Sequence, residues 1–366
     1  MSRNKTAVLL AAAGLSSRMG AFKPLLELGG KPLIGHALDT FRTVDIGETV
    51  IVTGFKADEI ESRLAGRGIA FIRNERYADT EMFDSIKLGL SCLSGECGSF
   101  FVMPTDIPLV RPFSIEAMCD ALAAQPADII RPLYRGKSGH PLLIDAECIP
   151  HILGYDGSNG LKGALASGGF NIREMPLPDP GLVMDTDTPE GLALMEDYYR
   201  AMDIPSRELA LEILAWRGAG EEITKHSIEV AKLANKLALR ALCSDYAVSL
   251  RLIEAAALMH DIERKSDGDH AGKGSALLEK MGYPKAAWVV GAHMELPRDA
   301  IEKMDERAIV YLADKLICGQ DRVSIKKRLD TALSKYAHNG EAEAAVKKRM
   351  EDAEAVMKRL GLDDAR

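Results

Sequence analysis

The chain has few of the features that mark membrane, secreted or nucleic-acid-binding proteins. It contains no apolar run of membrane-spanning length and no signal-peptide pattern. Its six cysteines form no CxxC pair and are too sparse for a disulfide scaffold. A net charge of −8 disfavours a surface for nucleic acid, because phosphate backbones attract clustered Lys and Arg. These absences predict a cytoplasmic protein that acts on small molecules.

The length and the texture of the sequence predict two domains. A chain of 366 residues exceeds what one hydrophobic core usually holds. Short apolar strands alternate with amphipathic helical segments over the first half, which is typical of an α/β domain with a mainly parallel sheet. Long helical periods follow and predict an all-α domain. Because Pro205 disfavours helix before it and Ser206 can cap the next helix, we predict domains at 1–203 and 204–366.

The stretch AVLLAAAGLSSRMGAFKPLL, residues 7–26, joins an apolar strand to a Gly/Ser turn that carries an Arg and a Lys. Gly14 can adopt backbone angles closed to other residues, and Ser16-Ser17 offers hydroxyl and N–H groups to anionic oxygens. Arg18 supplies a planar fork for a triphosphate, while Lys23 supplies a compact charge for phosphate. The stretch fits neither the Walker loop nor the dinucleotide fingerprint. It predicts a nucleoside triphosphate site at the carboxyl end of the first strand.

From Ala12 through Leu26 the stretch resembles LAAGxSSRMGxxKxLL, the signature of the MobA-like nucleotidyltransferases. The resemblance implies a Rossmann-like fold of the nucleotide-diphospho-sugar-transferase type. It also implies that a phosphorylated acceptor attacks the α-phosphorus of the triphosphate and releases pyrophosphate. The LAAG form resembles relatives that attach cytidine monophosphate to molybdopterin, which favours CTP and molybdopterin. The nucleotide-binding residues expected from the motif and the resemblance are Ala12, Ala13, Gly14, Ser16, Ser17, Arg18, Lys23, Asn74 and Ser85.

Two acidic segments predict a Mg²⁺ site. Asp106 follows an apolar strand in FFVMPTDIPLV, where a carboxylate can hold Mg²⁺ against triphosphate oxygens. MobA-like enzymes have a metal-binding Asp in a similar PxDxP context, which Asp106 matches. The segment VMDTDTPEGLALM resembles the family's DxDTPEDL, so the resemblance assigns Asp187 to the same site, with Asp185 as the alternative. Arg18, Lys23 and Asp106 are the expected catalytic residues of this domain.

Two further segments resemble the family in part. In RNERYADTEMFDSIKLGL, Asn74 and Ser85 match positions that help to hold the base and ribose, whereas Glu81 replaces a glycine. In YRGKSGHPLLI, the resemblance implies that His140-Pro141 fixes a loop on the acceptor side, where Lys137 is a candidate contact for the acceptor phosphate.

The helical half carries metal-ligating side chains in a characteristic order. These are His226, the doublet His260-Asp261 and Asp314, and no thiolate set competes with them. Imidazole and carboxylate together suit Mn, Fe, Zn or Mg. Over roughly residues 207–335 the order resembles that of the HD-domain phosphohydrolases, in which divalent ions lower the pKa of water for attack on a phosphoester.

The same resemblance implies one or two ions in the helical half. His270 and His293 fall where two-metal HD proteins have further histidines. Asp261 would then bridge both ions and is the expected catalytic residue. Lys265 and Lys315, two lysines near these motifs, are candidates for stabilising the phosphate, but each is expected to be solvated.

The sequence therefore predicts a bifunctional enzyme with nucleotidyltransferase and phosphohydrolase activities, acting in molybdenum cofactor biosynthesis. Its expected partners are a nucleoside triphosphate, molybdopterin and a phosphoester, and a molybdoenzyme or its chaperone is a candidate protein partner. No nucleic acid or membrane partner is expected. Two alternatives remain open. One is transfer to a sugar, polyol or choline phosphate, and the other is a module that senses nucleotide and metal without turnover.

Overall fold

The computed structural model describes residues 5–15, 22–266, 268–336 and 339–362. Contacts divide the chain into two compact units, residues 1–200 and 201–366. The boundary predicted after residue 203 lies in the turn between the helices Pro189–Ala201 and Arg207–Trp216. Within the described residues, no helix combines the length and apolar character needed to cross a membrane.

The first unit is built on a mixed, mostly parallel sheet of eight strands. In space the order is β8-β5-β7-β4-β1-β2-β3, and β6 pairs with β5. The strands in chain order are β1 Thr6–Ala12, β2 Glu48–Thr53, β3 Ala70–Arg73, β4 Ser99–Pro104, β5 Ile129–Tyr134, β6 Lys137–Ser138, β7 Leu142–Asp145 and β8 Ile172–Pro176. Helices cover the sheet: α1 Leu33–Thr43, α2 Ala57–Arg63, α3 Met82–Leu90, α4 Pro112–Ala124, α5 Ile149–Gly154, α6 Gly160–Ser167 and α7 Pro189–Ala201.

The central strand β1 places the candidate site. All seven of its residues are buried, as expected for an apolar strand with helices on both faces. It pairs in parallel with β2 and β4, so that the carboxyl ends of the three strands meet at one edge. The predicted α/β fold with a mainly parallel sheet is confirmed. The short strand β7, which runs antiparallel between β4 and β5, was not part of the prediction.

A tight backbone crossing fixes the loop that follows β4. A Cβ added to Gly181 would lie 2.0 Å from the carbonyl oxygen of Leu109 and 3.0 Å from the nitrogen of Val110. We expect Gly181→Ala to lower the free energy of unfolding of the first unit by about 2 kcal/mol, because backbone atoms cannot rotate away from the methyl group. Urea unfolding would measure the effect. Gly95→Ala is the matched control, since a Cβ there meets no atom within 4 Å; equal stability of the two variants would contradict the expectation.

The second unit is helical, which confirms the all-α prediction in outline. Its helices are α8 Arg207–Trp216, α9 Glu221–Cys243, α10 Leu250–Met259, α11 His270–Lys280, α12 Pro284–Gly291, α13 Arg298–Lys303, α14 Glu306–Lys315, α15 Ile325–Tyr336 and α16 Gly340–Arg359. A short hairpin, Ile317–Cys318 with Asp321–Arg322, interrupts the helical pattern. Helices α10 and α14 are largely buried, and candidate metal ligands lie at or directly after their C-terminal ends.

Candidate active sites

A cleft lies at the carboxyl edge of the first sheet. Its volume is about 510 Å³. One wall is apolar and includes Met82, Ile86 and Leu161, while the polar groups come from the loops after the strands and before α7. The polar and charged side chains that line it are Lys23, Asp106, His140, Asp185 and Asp187. This is the edge where the parallel strand order predicted a ligand site.

Three charged residues meet in this cleft. Lys23 begins a short turn after the first strand, and its Nζ lies 3.2 Å from Asp106 Oδ2. The same ammonium donates a hydrogen bond to Asp187 Oδ1. Asp106 follows β4, which is parallel to β1, so both reach the same edge of the sheet. The structure thus brings together side chains that are 83 and 164 residues apart in the chain.

The electrostatics of Lys23 reflect these two carboxylates. Burial lowers the pKa of Lys23, but the hydrogen bond to Asp187 and the charge of Asp106 outweigh burial and raise the pKa above its ordinary value. Lys23 therefore carries a full positive charge at neutral pH. Two carboxylates that converge on one cation form the kind of oxygen-rich arrangement that Mg²⁺ prefers.

Asp185 and His140 also border the cleft. Asp185 Oδ1 accepts a hydrogen bond from the backbone nitrogen of Asp187 at 3.2 Å, so the alternative ligand of the sequence prediction supports the loop that carries Asp187. Burial lowers the pKa of His140, with partial opposition from the charge of Asp106. His140 is thus neutral at pH 7. Its backbone nitrogen donates to Leu182 at 2.8 Å, which holds its loop in place.

The Gly/Ser turn is described only in part. Ser16, Ser17 and Arg18, which the sequence assigns to the triphosphate, lie outside the described residues. Ala12 and Ala13 are buried where β1 ends. Gly14 does not adopt the left-handed backbone that the sequence suggested, and a Cβ there would meet no atom within 4 Å. Glycine at this position instead leaves open space beside a smaller pocket of about 70 Å³ that Gly14 lines.

Asn74 and Ser85 are buried and bonded to each other. Asn74 Nδ2 donates to Ser85 Oγ at 3.0 Å and to Thr80 Oγ1 at 2.9 Å. Asn74 Oδ1 accepts from the backbone nitrogen of Arg76 at 3.0 Å. The amide of Asn74 is therefore used in holding residues 74–85 together, whereas Ser85 also lines the smaller pocket. In this segment Met82 and Ile86 border the large cleft, and the sequence motif did not identify either of them.

The second unit contains a cluster of imidazoles and carboxylates, and the first four of them come from the ends of three helices. His226 lies in the second turn of α9, His260-Asp261 directly follows α10, and Asp314 lies near the end of α14. His226 Nε2 is 3.3 Å from Asp314 Oδ1 and 3.9 Å from Asp261 Oδ2. His260 Nε2 is 3.6 Å and 3.5 Å from the same two oxygens. The four residues of the predicted motif therefore converge on one point.

Backbone carbonyls orient the imidazoles of this cluster. The Nδ1 atoms of His226, His260 and His293 lie 2.9, 2.8 and 2.7 Å from the carbonyl oxygens of Gly319, Ala257 and Val290. Since a carbonyl only accepts, each Nδ1 donates, and the Nε2 atom of each ring faces the cluster. His260 Nε2 is buried and has no hydrogen-bond partner among the described residues. These nitrogens and the carboxylate oxygens of Asp261 and Asp314 face one another, so the donor set fits a divalent metal ion.

His270 and His293 form a second group around the same aspartate. His270 Nε2 lies 3.1 Å from His293 Nε2. The two nitrogens lie 3.5 and 3.6 Å from Asp261 Oδ1, whereas the first pair of imidazoles faces Asp261 Oδ2. Each oxygen of Asp261 thus serves one group of histidines, which is the arrangement of a carboxylate that bridges two ions. The spacing within both groups suits metal ligands.

The pKa values of the cluster show strong charge compensation. Burial acts to raise the pKa of Asp261, yet the neighbouring imidazoles of His260, His270 and His293 hold it well below its ordinary value. Burial likewise acts to raise the pKa of Asp314, but Lys315 and the imidazoles of His226 and His260 keep it low. Both carboxylates are therefore ionised and available as ligands.

Two basic residues lie beside the cluster in positions that the sequence did not predict. Arg264 Nη1 lies 3.3 and 3.4 Å from the two oxygens of Asp261, while about half of its side chain is exposed. Lys315 was expected to be solvated, and this expectation is wrong: its ammonium is buried against Asp314 Oδ2 at 2.6 Å. Lys265 is exposed as expected and donates to the carbonyl of Gly218 at 2.7 Å. Arg264 lies three residues after Asp261 in the sequence, and this spacing could have indicated the contact between them.

Comparisons with family models agree with the two units. Residues 7–172 match the model of the MobA-like NTP transferase domain. Residues 223–317 match the model of the HD domain. The first match ends at residue 172, so that Asp185 and Asp187, in the loop before α7, lie outside it. The second match includes all six histidines and aspartates of the metal-ligand cluster.

Individual relatives resemble the first unit. The chain is 24% identical over 192 residues to the molybdenum cofactor cytidylyltransferase of Escherichia coli strain K12, a match that covers 52% of this chain and 95% of that protein. It is 28% identical over 118 residues to the bifunctional protein GlmU of Listeria innocua, covering 32% of this chain and 25% of that protein. The crystal structure of Rv0371c from Mycobacterium tuberculosis H37Rv is 22% identical, with a TM-score of 0.46 and coverage of 52% of this chain and 97% of that one.

Proposed function

Because the chain combines a MobA-like NTP transferase domain with an HD domain, we propose that it is a bifunctional enzyme. The first unit transfers a nucleoside monophosphate from a triphosphate to a phosphorylated acceptor. CTP and molybdopterin are the proposed substrates, because the relative with 95% of its length matched is a molybdenum cofactor cytidylyltransferase. The second unit hydrolyses a phosphoester. The observation that carries the proposal is the meeting of Lys23, Asp106 and Asp187 at the mouth of a cleft.

In the transfer reaction, an oxygen of the acceptor phosphate forms a bond to the α-phosphorus as the bond to the pyrophosphate leaving group breaks. Lys23 is placed to neutralise charge that develops on the phosphates, because its ammonium is held among the residues that line the cleft. Arg18, in the turn before it, is the proposed second phosphate contact.

Asp106 and Asp187 are the proposed ligands of Mg²⁺ in the first unit. Their carboxylate oxygens converge on one cation, the ammonium of Lys23, which supports a site where the two carboxylates hold a divalent ion beside that ammonium. When bound there, Mg²⁺ would neutralise charge on the triphosphate and on the leaving pyrophosphate. Asp185 orients the backbone of Asp187 and is proposed as support rather than as a ligand.

The test of the first activity is pyrophosphate release by the purified full chain with Mg²⁺, molybdopterin and each of the four ribonucleoside triphosphates in turn. We expect release with CTP that depends on the acceptor and exceeds release with the other three nucleotides by about 10-fold or more, a difference of about 1.4 kcal/mol in transition-state binding. Release that occurs only with a sugar, polyol or choline phosphate would contradict the proposed acceptor.

The HD unit is proposed to hold two divalent ions, with Mn, Fe, Zn or Mg as candidates. His226, His260 and Asp314 would serve one ion, His270 and His293 the other, and Asp261 both. The orientation of the Nε2 atoms toward the carboxylates supports this ligand set. Such ions would lower the pKa of water and offset the charge of a phosphoester. The test is hydrolysis of a nucleotide, a dinucleotide and a phosphomonoester by the Mn²⁺-loaded full chain; no hydrolysis of any of them would contradict the proposal.

Arg264 is proposed to contact the phosphate of the hydrolase substrate. Its guanidinium is anchored by both oxygens of Asp261 but remains half exposed, so its other nitrogens can reach an anion. We expect Arg264→Gln to lower kcat/KM for hydrolysis by about 100-fold, as the loss of one charge-stabilising donor does. Arg298→Gln, an exposed arginine in the same unit, is the control and should be unaffected. Equal activities of the two variants would contradict the role of Arg264.

A further inference from the structure

Lys315 is buried beside the metal-ligand cluster of the second unit. Its side chain is 5% exposed, and its Nζ donates to Asp314 Oδ2 at 2.6 Å. The same ammonium donates to the backbone carbonyl of His293 at 2.9 Å and lies 4.6 Å from the centre of the Tyr311 ring. Burying an ammonium is costly unless it is paired and hydrogen-bonded. Lys315 is therefore part of the buried structure around the metal ligands and not a solvated surface residue.

The two oxygens of Asp314 have different partners. Oδ2 accepts the hydrogen bond from Lys315, whereas Oδ1 faces His226 Nε2 at 3.3 Å and His260 Nε2 at 3.6 Å. A carboxylate can bind an ion through one oxygen or through both. Because Lys315 occupies Oδ2, Asp314 is left with one oxygen directed toward the two imidazoles.

The second contact of Lys315 reaches the other group of histidines. The imidazole of His293 belongs to the group around Asp261 Oδ1, and the carbonyl of His293 is the acceptor for Lys315. His293 is also held at Nδ1 by the carbonyl of Val290. One ammonium thus connects a ligand of the first group to the backbone of the second. Residues that orient metal ligands in this way typically change metal affinity by about 10- to 100-fold when they are replaced.

We propose that Lys315 is a positioning residue of the metal centre, which fixes Asp314 as a one-oxygen ligand and holds His293 in place for the second ion. This inference rests on the proposed two-ion function of the HD unit. Lys315 would touch neither the substrate nor the ions, and it would act through Asp314 and His293. Its loss changes the coordination of the first ion and the affinity for the second.

The experiment is a titration of the metal-free full chain with Co²⁺, followed by visible absorption, which reports on the coordination number of the ion. The variants are Lys315→Gln, Lys315→Met and Lys315→Arg, with Lys265→Met as the matched control for an exposed lysine of the same unit. We expect Gln and Met to change the absorption spectrum and to bind the second Co²⁺ about 10-fold more weakly or worse. Lys315→Arg keeps the charge and should retain the wild-type spectrum, as should the control.

Circular dichroism of each variant separates coordination from folding. Lys315→Gln retains a hydrogen-bond donor and keeps the test valid if Lys315→Met does not fold. A folded Lys315→Gln variant with the wild-type spectrum and both wild-type dissociation constants would overturn the role of Lys315 and leave the proposed metal centre standing. Absence of Co²⁺ binding by the wild-type chain would overturn the proposed metal centre itself and, with it, this role.

Discussion

Asp106→Asn should lower the rate of nucleotidyl transfer by about 10³-fold or more and leave phosphoester hydrolysis unchanged. The substitution removes one of the two carboxylates proposed for Mg²⁺, and metal-assisted stabilisation of phosphoryl charge contributes several kcal/mol. It also removes the charge of Asp106 near Lys23 Nζ, 3.2 Å away, and so loosens the ammonium that faces the phosphates. Pyrophosphate release and phosphate release, assayed on the same preparation, would measure the two activities.

The matched control for this variant is Asp45→Asn. Asp45 is exposed and lies before β2, at the edge of the sheet opposite the cleft, and its left-handed backbone is one that Asn also adopts readily. We expect the control to retain both activities. A transfer rate for Asp106→Asn within a few fold of that for Asp45→Asn would contradict the assignment of the first site.

Asp261→Asn should have the reverse effect: hydrolysis falls by about 10³-fold or more, and transfer is retained. The carboxylate of Asp261 is the group that faces both pairs of imidazoles, so its loss removes a ligand from each proposed ion. The asparagine amide keeps the volume of the side chain but not its charge. We also expect the metal content of the purified chain to fall, which elemental analysis would measure independently of activity.

Asp245→Asn provides the matched control in the second unit. Asp245 is exposed after α9, in a left-handed conformation that Asn tolerates, and it contacts none of the metal ligands described above. If Asp261→Asn kept the metal content and the hydrolase activity of this control, the ligand assignment would be wrong. Loss of transfer in Asp261→Asn would contradict the expectation that each site works with its own residues.

The meeting of Lys23 and Asp106 could be predicted because it follows from the topology of the sheet. Asp106 lies just beyond β4, Lys23 follows the loop after β1, and parallel neighbours place the ends of such strands at the same edge. Asp187 lies on no strand, and the sequence indicated it only through its resemblance to a family motif. The metal ligands of the second unit were predicted because the order of His226, His260-Asp261 and Asp314 in the sequence resembles that of the HD-domain phosphohydrolases.

Other features could not be predicted because they depend on packing between distant segments. Nothing local in the sequence distinguishes Lys315, which is buried by the fold, from an exposed lysine such as Lys265. Asn74 was identified by its motif, but its amide bonds to Ser85 and Thr80, and this became visible only once the segment was folded. The antiparallel strand β7 was missed because its pairing partners are set by the sheet and not by its own four residues.

The most direct test of the first activity is the fate of the α-phosphate of CTP. The full chain would be incubated with CTP labelled at the α-phosphate, Mg²⁺ and molybdopterin, and the products would be separated. The proposed chemistry predicts that the label moves to a product that contains both CMP and molybdopterin, in an amount equal to the pyrophosphate released. Label that stays in CTP, under conditions in which the chain is folded and binds the nucleotide, would contradict cytidylyl transfer to molybdopterin.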